Sequence, residues 1–374
     1  MFLKKYKINK KGKEELGKLY KILGEKTDTF FGYPCNADFD YSELTKFLDF
    51  SINNVGDPFS GSNYQVNTRK FEKEVLRFFA ELMHIKKEDF WGYMTNGGSE
   101  GNFYGLYLGR ELFPTGIFYF SEDSHYSIPK ATRILNVKNI TVPSQKNGEI
   151  DYGCLEKALK KNRKMPAIIS ANIGTTVKGA VDNIENIIKI IKKNKIKDYY
   201  IHADAAFFGM ILPFIKNSSI FDFRMPISSI SISGHKMIGS PIPCGVVLVK
   251  KKLVKKIEKP VEYVGILDNT LSGSRNGFTP LILWYAIKKY GKKGFGEIIK
   301  TCLVNSDYAL ERFKKIGWPA WKNKNSIIII IKKPSNRIVK KLQLAIQGEI
   351  AHLIIMPHIT KKKIDKIIKD FRTT

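Results

Sequence analysis

Residues 167–204 read AIISANIGTTVKGAVDNIENIIKIIKKNKIKDYYIHAD, and this stretch decides the fold. Two short apolar runs, Ala167–Ala171 and Tyr199–His202, flank the segment Ile184–Ile191, whose isoleucines recur at helical spacing. The apolar runs predict buried strands, and the periodic segment predicts a helix between them. Because parallel strands need a crossover, which is usually a helix, this unit predicts two parallel strands.

The same alternation continues on both sides of this unit. Further apolar runs predict the strands Trp91–Thr95, Ile117–Phe120, Ile140–Val142, Ile227–Ser233 and Gly245–Val249. Strands that alternate with helices indicate an α/β fold with a mostly parallel sheet covered on both faces. Ligands of such sheets bind at the carboxyl ends of the strands, so we expect the functional residues there.

The pattern differs at the two ends of the chain, which predicts three parts. Residues 1–50 begin with a Lys-rich amphipathic stretch and are predicted to form an N-terminal arm. Residues 51–265 form the predicted large domain. Residues 266–374 combine long helical stretches with the apolar run Ile327–Ile331, which predicts a small α+β domain.

The charge of the chain suggests one function class that has to be weighed. The 374 residues include 63 basic and 35 acidic side chains, a formal net charge of +28. Such a balance is typical of nucleic-acid-binding proteins, which is one hypothesis. However, 53 of the basic residues are Lys and only 10 are Arg, the side chain that reads bases and phosphates best. The charge is therefore expected to reflect solvated surface and no specific nucleic-acid partner.

The remaining composition predicts a cytoplasmic protein. Four scattered cysteines, Cys35, Cys154, Cys244 and Cys302, form no metal-binding or disulfide pattern. The first residues have too short an apolar stretch for a signal peptide, and no run of 18 apolar residues predicts a membrane span.

Chemically informative residues follow several of the predicted strands. The Gly-rich turn Thr95–Asn102 opens a helix and suits either a phosphate group or a plain tight turn. Asp204 ends a buried strand and is either a turn cap or the partner of a cation. Lys236 stands apart from the charged runs, so it is either a surface lysine or a nucleophile with a lowered pKa. His125 lies in another loop after a strand.

Two ligands would use such a set of residues. A metal site could draw on His202, Asp204, His125 and His235, although their spacing matches no compact metal motif. Pyridoxal phosphate needs a phosphate cradle, a ring partner, a carboxylate for the pyridine nitrogen and a lysine, and all four are present. We therefore predict pyridoxal 5'-phosphate as the cofactor and no metal.

The chain resembles the group II pyridoxal-phosphate-dependent amino-acid decarboxylases, in the branch of bacterial histidine and plant serine decarboxylases. The matching motifs are Phe39–Tyr41, Gly56–Phe59, Thr95–Asn102, Asp123–Ser127, Ala171–Gly179, His202–Ala206, Ser233–Gly245, Gly273–Gly277 and Gly348–His352. The resemblance implies the fold-type I architecture, with a large seven-stranded domain and a small C-terminal domain. It also implies a homodimer with its sites at the interface and an amino-acid substrate, with no membrane partner.

The resemblance also implies a role for each matching residue. Lys236 resembles the lysine that binds the cofactor covalently, Asp204 the carboxylate on the pyridine nitrogen, and His125 the imidazole stacked on the ring. Ala206 is expected against the opposite ring face and Thr175 beside the ring. Phosphate contacts are expected from Gly98, Ser99, Ser233 and His235, and substrate contacts from His125 and Tyr64.

The substrate is less strongly indicated than the cofactor. The motif Gly56–Phe59, the segment Ser62–Tyr64 and the segment Gln347–His352 resemble the serine enzymes more than the usual bacterial histidine decarboxylases. We therefore expect serine, which would give ethanolamine, slightly ahead of histidine, which would give histamine. Transamination and aldol cleavage on the same scaffold are the alternatives within this fold.

Overall fold

The computed structural model describes residues 7–61, 63–256, 260–261 and 266–372. Its strands are β1 Phe90–Thr95, β2 Ile117–Ser121, β3 Asn139–Val142, β4 Ala167–Asn172, β5 Tyr199–Asp204, β6 Ser229–Ser233, β7 Gly245–Lys250, β8 Pro260–Val261, β9 Ile266–Leu267, β10 Ala320–Trp321, β11 Ile328–Lys332, β12 Ala345–Gln347 and β13 Ile350–Ile354. Its α-helices are α1 Lys10–Thr27, α2 Arg69–Leu82, α3 Gly98–Leu112, α4 Ser127–Ile134, α5 Tyr152–Lys161, α6 Ile184–Lys193, α7 Lys251–Val254, α8 Thr279–Lys315, α9 Asn336–Leu342 and α10 Lys361–Arg372.

The main sheet contains seven strands in the order β1-β7-β6-β5-β4-β2-β3. All of them run parallel except β7, which pairs antiparallel with both β1 and β6. This arrangement confirms the predicted α/β fold with a mostly parallel seven-stranded sheet.

The helix α6 shows how the sequence forms one layer of this fold. The side chain of Asn183 caps the helix by accepting the backbone N–H of Asn186, which satisfies one of the unpaired groups of the first turn. The isoleucines at helical spacing are buried in the same apolar cluster as Ile169 and Ile201 of the sheet. Strand β4 pairs in register with β5, so that Asn172 lies beside Asp204. The crossover therefore brings the ends of the two strands, and their polar side chains, to the same edge of the sheet.

A second, antiparallel sheet lies in the C-terminal part of the chain, with the strand order β10-β11-β13-β12. The helix α8 runs for 37 residues and is kinked at Gly291, whose φ of 57° departs from helical geometry. Helix α10 buries Ile364, Ile367, Ile368 and Phe371. The predicted limit of the large domain, at residue 265, lies outside the described residues, so the three-part division stays a prediction.

The N-terminal segment divides into an exposed helix and a strap that reaches the main sheet. Helix α1 has no buried residue, although it contains several apolar side chains. After it, the N–H of Asn36 donates to the carbonyl oxygen of Lys236, which places residues 32–36 at the ends of the sheet strands. Within the described part of the chain, no helix combines the length and the apolar character needed to cross a membrane.

Candidate active site

A cavity of about 610 Å³ opens at the carboxyl ends of the parallel strands. Nine of the residues predicted from the sequence line it: Gly98, Ser99, His125, Thr175, Asp204, Ala206, Ser233, His235 and Lys236. They lie at the ends of β5 and β6, in the loops after β2, β4, β5 and β6, and in the first turn of α3 after β1. Parallel strands present their carboxyl ends at one edge of the sheet, which brings these positions together.

Lys236 follows β6 and reaches the cavity with its side chain half-buried. Burial lowers the pKa of its ammonium group, while the nearby Asp204 and Cys35 act in the opposite direction. Its Nζ lies 6.0 Å from the centre of the Phe207 ring. A lysine with a lowered pKa is more often the neutral amine, which is the form that attacks a carbonyl group.

Asp204 occupies the last position of β5 and is buried. Its Oδ1 accepts the backbone N–H of Ala206 at 3.2 Å, and its Oδ2 accepts Nδ2 of Asn102 at 2.8 Å. A carboxylate held in this way at the cavity wall can accept a further hydrogen bond from a protonated ring nitrogen.

His125 lies on the loop after β2, half-buried in the cavity wall. Its Nδ1 lies 2.8 Å from Oγ of Ser127. Burial lowers the pKa of the imidazole, Asp204 raises it and Lys236 lowers it further, so the ring is predominantly neutral at pH 7. Ala206, placed after β5, also lines the cavity.

The first turn of α3 and the end of β6 form a cradle with the chemistry that a phosphate group needs. Oγ of Ser233 is buried and has no hydrogen-bond partner among the described residues. A Cβ at Gly98 would come within 2.8 Å of this oxygen and 2.9 Å of the Ala206 Cβ, so glycine keeps the cradle open. The first N–H groups of a helix lack intrahelical partners and attract anions. The site therefore fits pyridoxal phosphate.

Two other predicted residues, Thr175 and His235, also line the cavity. Oγ1 of Thr175 accepts the backbone N–H of Ala180 at 3.0 Å, which leaves its own O–H free to donate. Nδ1 of His235 lies 2.9 Å from the carbonyl oxygen of Cys244, and burial lowers the pKa of this imidazole.

The metal hypothesis used His202 as a ligand together with Asp204, His125 and His235. Both ring nitrogens of His202 are occupied, Nδ1 by Ser229 at 2.8 Å and Nε2 by Asn102 at 3.0 Å. Across the described ranges, no group of three or more His, Cys, Asp or Glu side chains could hold a metal ion.

The structure adds a polar group to the cavity that the sequence reasoning missed. Nζ of Lys178 donates to Oδ2 of Asp123 at 2.8 Å, and Nε2 of Gln347 donates to Oδ1 of the same carboxylate at 3.0 Å. These residues are far apart in sequence, and no local pattern predicts their contact. Gln347 and His352, from the C-terminal sheet, line the cavity together with Tyr33 from the N-terminal strap. The N-terminal strap, the main sheet and the C-terminal sheet thus contribute to one cavity.

Tyr64, predicted as a substrate contact, is not part of the cavity lining of the single chain. Its hydroxyl donates to the carbonyl oxygen of Ser51 at 2.9 Å, and its side chain is partly exposed. None of the residues 272–277 lines the cavity of the single chain, and Arg275 is buried in an ion pair with Glu72 of α2.

Comparison with known proteins identifies relatives over nearly the whole chain. A model of the pyridoxal-dependent decarboxylase conserved domain matches residues 109–318. A histidine decarboxylase from Morganella morganii is 50% identical over 342 residues, which cover 91% of this chain and 90% of the relative. A histidine decarboxylase from Vibrio anguillarum is 46% identical over 363 residues, 96% of this chain and 94% of the relative. Among solved structures, L-methionine decarboxylase from Streptomyces sp.590 superposes with a TM-score of 0.90 at 25% identity, covering 98% of this chain and 96% of that one.

Proposed function

Since this chain belongs to the group II pyridoxal-phosphate-dependent amino-acid decarboxylases, we propose that its substrate is L-histidine and its products are histamine and carbon dioxide. The observation behind this choice is the identity of about half of all residues with proteins named histidine decarboxylase, over nine-tenths of both chains. The sequence expectation that slightly favoured serine has no support among these relatives, whereas the histidine alternative has. The segments that suggested serine include Gln347 and His352, and both line the cavity.

We assign the cofactor to the cavity residues by their chemistry. Lys236 would hold pyridoxal phosphate covalently through Nζ, and Asp204 would keep the ring nitrogen protonated. His125 and Ala206 would enclose the ring, with Thr175 at its edge. The phosphate would lie in the cradle formed by Gly98, Ser99, Ser233 and His235. The buried and unpartnered Oγ of Ser233 supports this placement, because such a group normally has a partner.

The bound cofactor supplies an electron sink for the pair left when the bond between Cα and the carboxylate breaks. The residues of the chain supply position and charge. Asp204 would stabilise positive charge on the ring nitrogen, and its burial would strengthen this interaction. His125 can return a proton to Cα through Nε2, the nitrogen that does not contact Ser127. Burial lowers the pKa of Lys236, which favours the neutral amine that would bind the cofactor again when the product leaves.

The experiment that tests this proposal measures the products directly. Purified protein loaded with pyridoxal phosphate is incubated separately with L-histidine, L-serine and a panel of other amino acids, and both amine and carbon dioxide are quantified. We expect histamine and carbon dioxide in equal amounts, and we expect Lys236→Ala to abolish both. A faster release of ethanolamine from serine would overturn the choice of substrate. Keto-acid or aldehyde products without carbon dioxide would instead favour transamination or aldol cleavage.

We also propose that the enzyme is a homodimer. Helix α1 exposes Leu16, Leu19, Tyr20 and Leu23 on one face, and Tyr20 is 84% exposed. An apolar helix face of this kind is typically covered in the native protein, and a second copy of the chain would cover it. A second copy would also explain why Tyr64 lies outside the cavity of a single chain.

Size-exclusion chromatography with in-line light scattering measures the oligomeric state, with a matched pair of variants as the control. Leu16→Ser/Leu23→Ser removes apolar side chains from the exposed face, and Lys18→Ser/Lys21→Ser changes the opposite face of the same helix. The dimer should weaken in the first variant and persist in the second. A wild-type protein that is monomeric and fully active would contradict the proposal.

A further inference from the structure

Asn102, on helix α3, lies at the centre of a buried hydrogen-bond network behind the candidate site. Its side-chain amide contacts Oδ2 of Asp204 at 2.8 Å, Oγ of Ser127 at 3.1 Å and Nε2 of His202 at 3.0 Å. The residue is 1% exposed, so these contacts face no competition from water. The amide thus uses one acceptor and two donors on three different partners.

The orientation of this amide follows from the chemistry of its partners. A carboxylate accepts hydrogen bonds, so the Asn102 atom beside Asp204 must be the donor Nδ2. Its oxygen Oδ1 therefore faces Nε2 of His202, and that nitrogen must carry a proton.

The position of the proton on His202 determines the direction of the other hydrogen bonds in this buried network. Burial lowers the pKa of His202 to about 4, so the imidazole is neutral and holds one proton, on Nε2. Its Nδ1 must then accept the hydroxyl proton of Ser229, 2.8 Å away. Ser229 can donate in this way because its own oxygen receives the hydroxyl of Tyr200 at 2.8 Å. Every side-chain donor from Tyr200 to Asn102 therefore has an acceptor.

The other branch of the network leads to His125. A backbone N–H can only donate, so the N–H of Ser127, 3.2 Å from Nδ1 of His125, makes that nitrogen an acceptor. Oγ of Ser127 accepts a hydrogen bond from the second N–H of the Asn102 amide. The Ser127 hydroxyl can in turn donate a hydrogen bond to the same Nδ1 of His125, 2.8 Å away. The proton of the neutral His125 ring must then be on Nε2, the nitrogen assigned above to proton transfer.

We propose that Asn102 is a positioning residue that links Asp204 and His125, fixing the carboxylate with one amide proton and the His125 tautomer with the other. This inference rests on the proposed roles of Asp204 and His125. It depends on the side chain being an amide, because leucine has neither donor nor acceptor and aspartate cannot donate to a carboxylate. The close packing of α3 on the sheet makes the contact possible: a Cβ at Gly105, one turn further along the helix, would lie 2.2 Å from Nδ1 of His202.

The first test requires no substrate and no cofactor. NMR of apoprotein labelled with ¹⁵N-histidine reports which ring nitrogen carries the proton, and His125→Gln and His202→Gln identify the two signals. Both rings should carry the proton on Nε2 at pH 7. Asn102→Leu removes the acceptor beside Nε2 of His202 and should shift the signal of that nitrogen. A proton on Nδ1 of His125 or of His202 in the wild type, or a His202 signal unchanged in Asn102→Leu, would overturn the proposal.

The second test measures the effect on turnover. Asn102→Leu should lower kcat for histamine formation by about 10-fold or more, with KM changed less than about 3-fold, because the change alters groups that act on the cofactor. Asn305→Leu is the matched control, since Nδ2 of Asn305 donates to the carbonyl oxygen of Ile359, in the C-terminal part of the chain. Equal kcat values in the wild type and Asn102→Leu would refute the proposal. A wild type that makes no histamine would refute the proposed substrate instead, and the NMR test would still decide the role of Asn102.

Discussion

The protonation of His202 allows a quantitative test of the buried network. Its imidazole is fully buried, and burial lowers its pKa from 6.5 to about 4, with Asp204 opposing the shift. The unfolded chain binds a proton as the pH falls below 6.5, whereas the folded protein does not until about pH 4. The stability that depends on neutral His202 is therefore complete above pH 6.5 and is lost progressively towards pH 4. Between pH 7 and pH 5 the loss amounts to roughly 2 kcal/mol, because one pKa unit corresponds to about 1.4 kcal/mol.

The assay compares urea unfolding of wild-type and His202→Gln apoprotein at pH 7 and pH 5, at one fixed protein concentration. The glutamine amide can still donate a proton to Oδ1 of Asn102, but it does not titrate. We expect the free energy of unfolding of the wild type to fall by about 2 kcal/mol more than that of the variant. Between pH 7 and pH 8 the two proteins should change in parallel, because His202 is then neutral in both states. If the free energies of unfolding of the two proteins changed in parallel down to pH 5, His202 would not be held neutral in the folded protein.

Two further substitutions separate chemistry from stability. Asp204→Asn should keep the fold but lower kcat by about 100-fold or more, since the neutral amide no longer stabilises a protonated ring nitrogen. Circular dichroism checks the fold, and product formation measures kcat. An unchanged kcat would remove Asp204 from the mechanism. Arg275→Met leaves Glu72 as an uncompensated buried charge. The free energy of unfolding, measured by urea titration, should therefore fall by about 3–5 kcal/mol. A decrease below about 1 kcal/mol would show that the ion pair is dispensable.

The strands could be predicted from the sequence because each one is a short apolar run bounded by turn residues. Strand β5 illustrates the limit of that method, since the apolar pattern ends at His202 while the strand continues to Asp204. A hydrophobic pattern does not predict a buried carboxylate. Asp204 can be buried at the end of the strand because its oxygens accept hydrogen bonds from the Asn102 amide and the N–H of Ala206. The polar end of the strand is where the site begins.

The site could be predicted in part for a similar reason. Lys236, Asp204 and His125 each follow a predicted strand, and parallel strands bring such positions together whatever their distance in sequence. Asn102 belongs to a motif found in the sequence, but its role depends on the packing of α3 against β5 and β6, which no local pattern encodes. The contact between Lys178 and Asp123 depends in the same way on tertiary structure.

The central claim is that Lys236, one of 53 lysines, binds the cofactor. Borohydride reduction of the enzyme loaded with pyridoxal phosphate, followed by peptide mass mapping, tests this claim most directly. We predict a pyridoxyl group on the peptide that contains Lys236, together with loss of the visible absorbance of the bound cofactor and no label in Lys236→Ala. A protein that takes up no cofactor, or one labelled at a different lysine with Lys236 unmodified, would contradict the account.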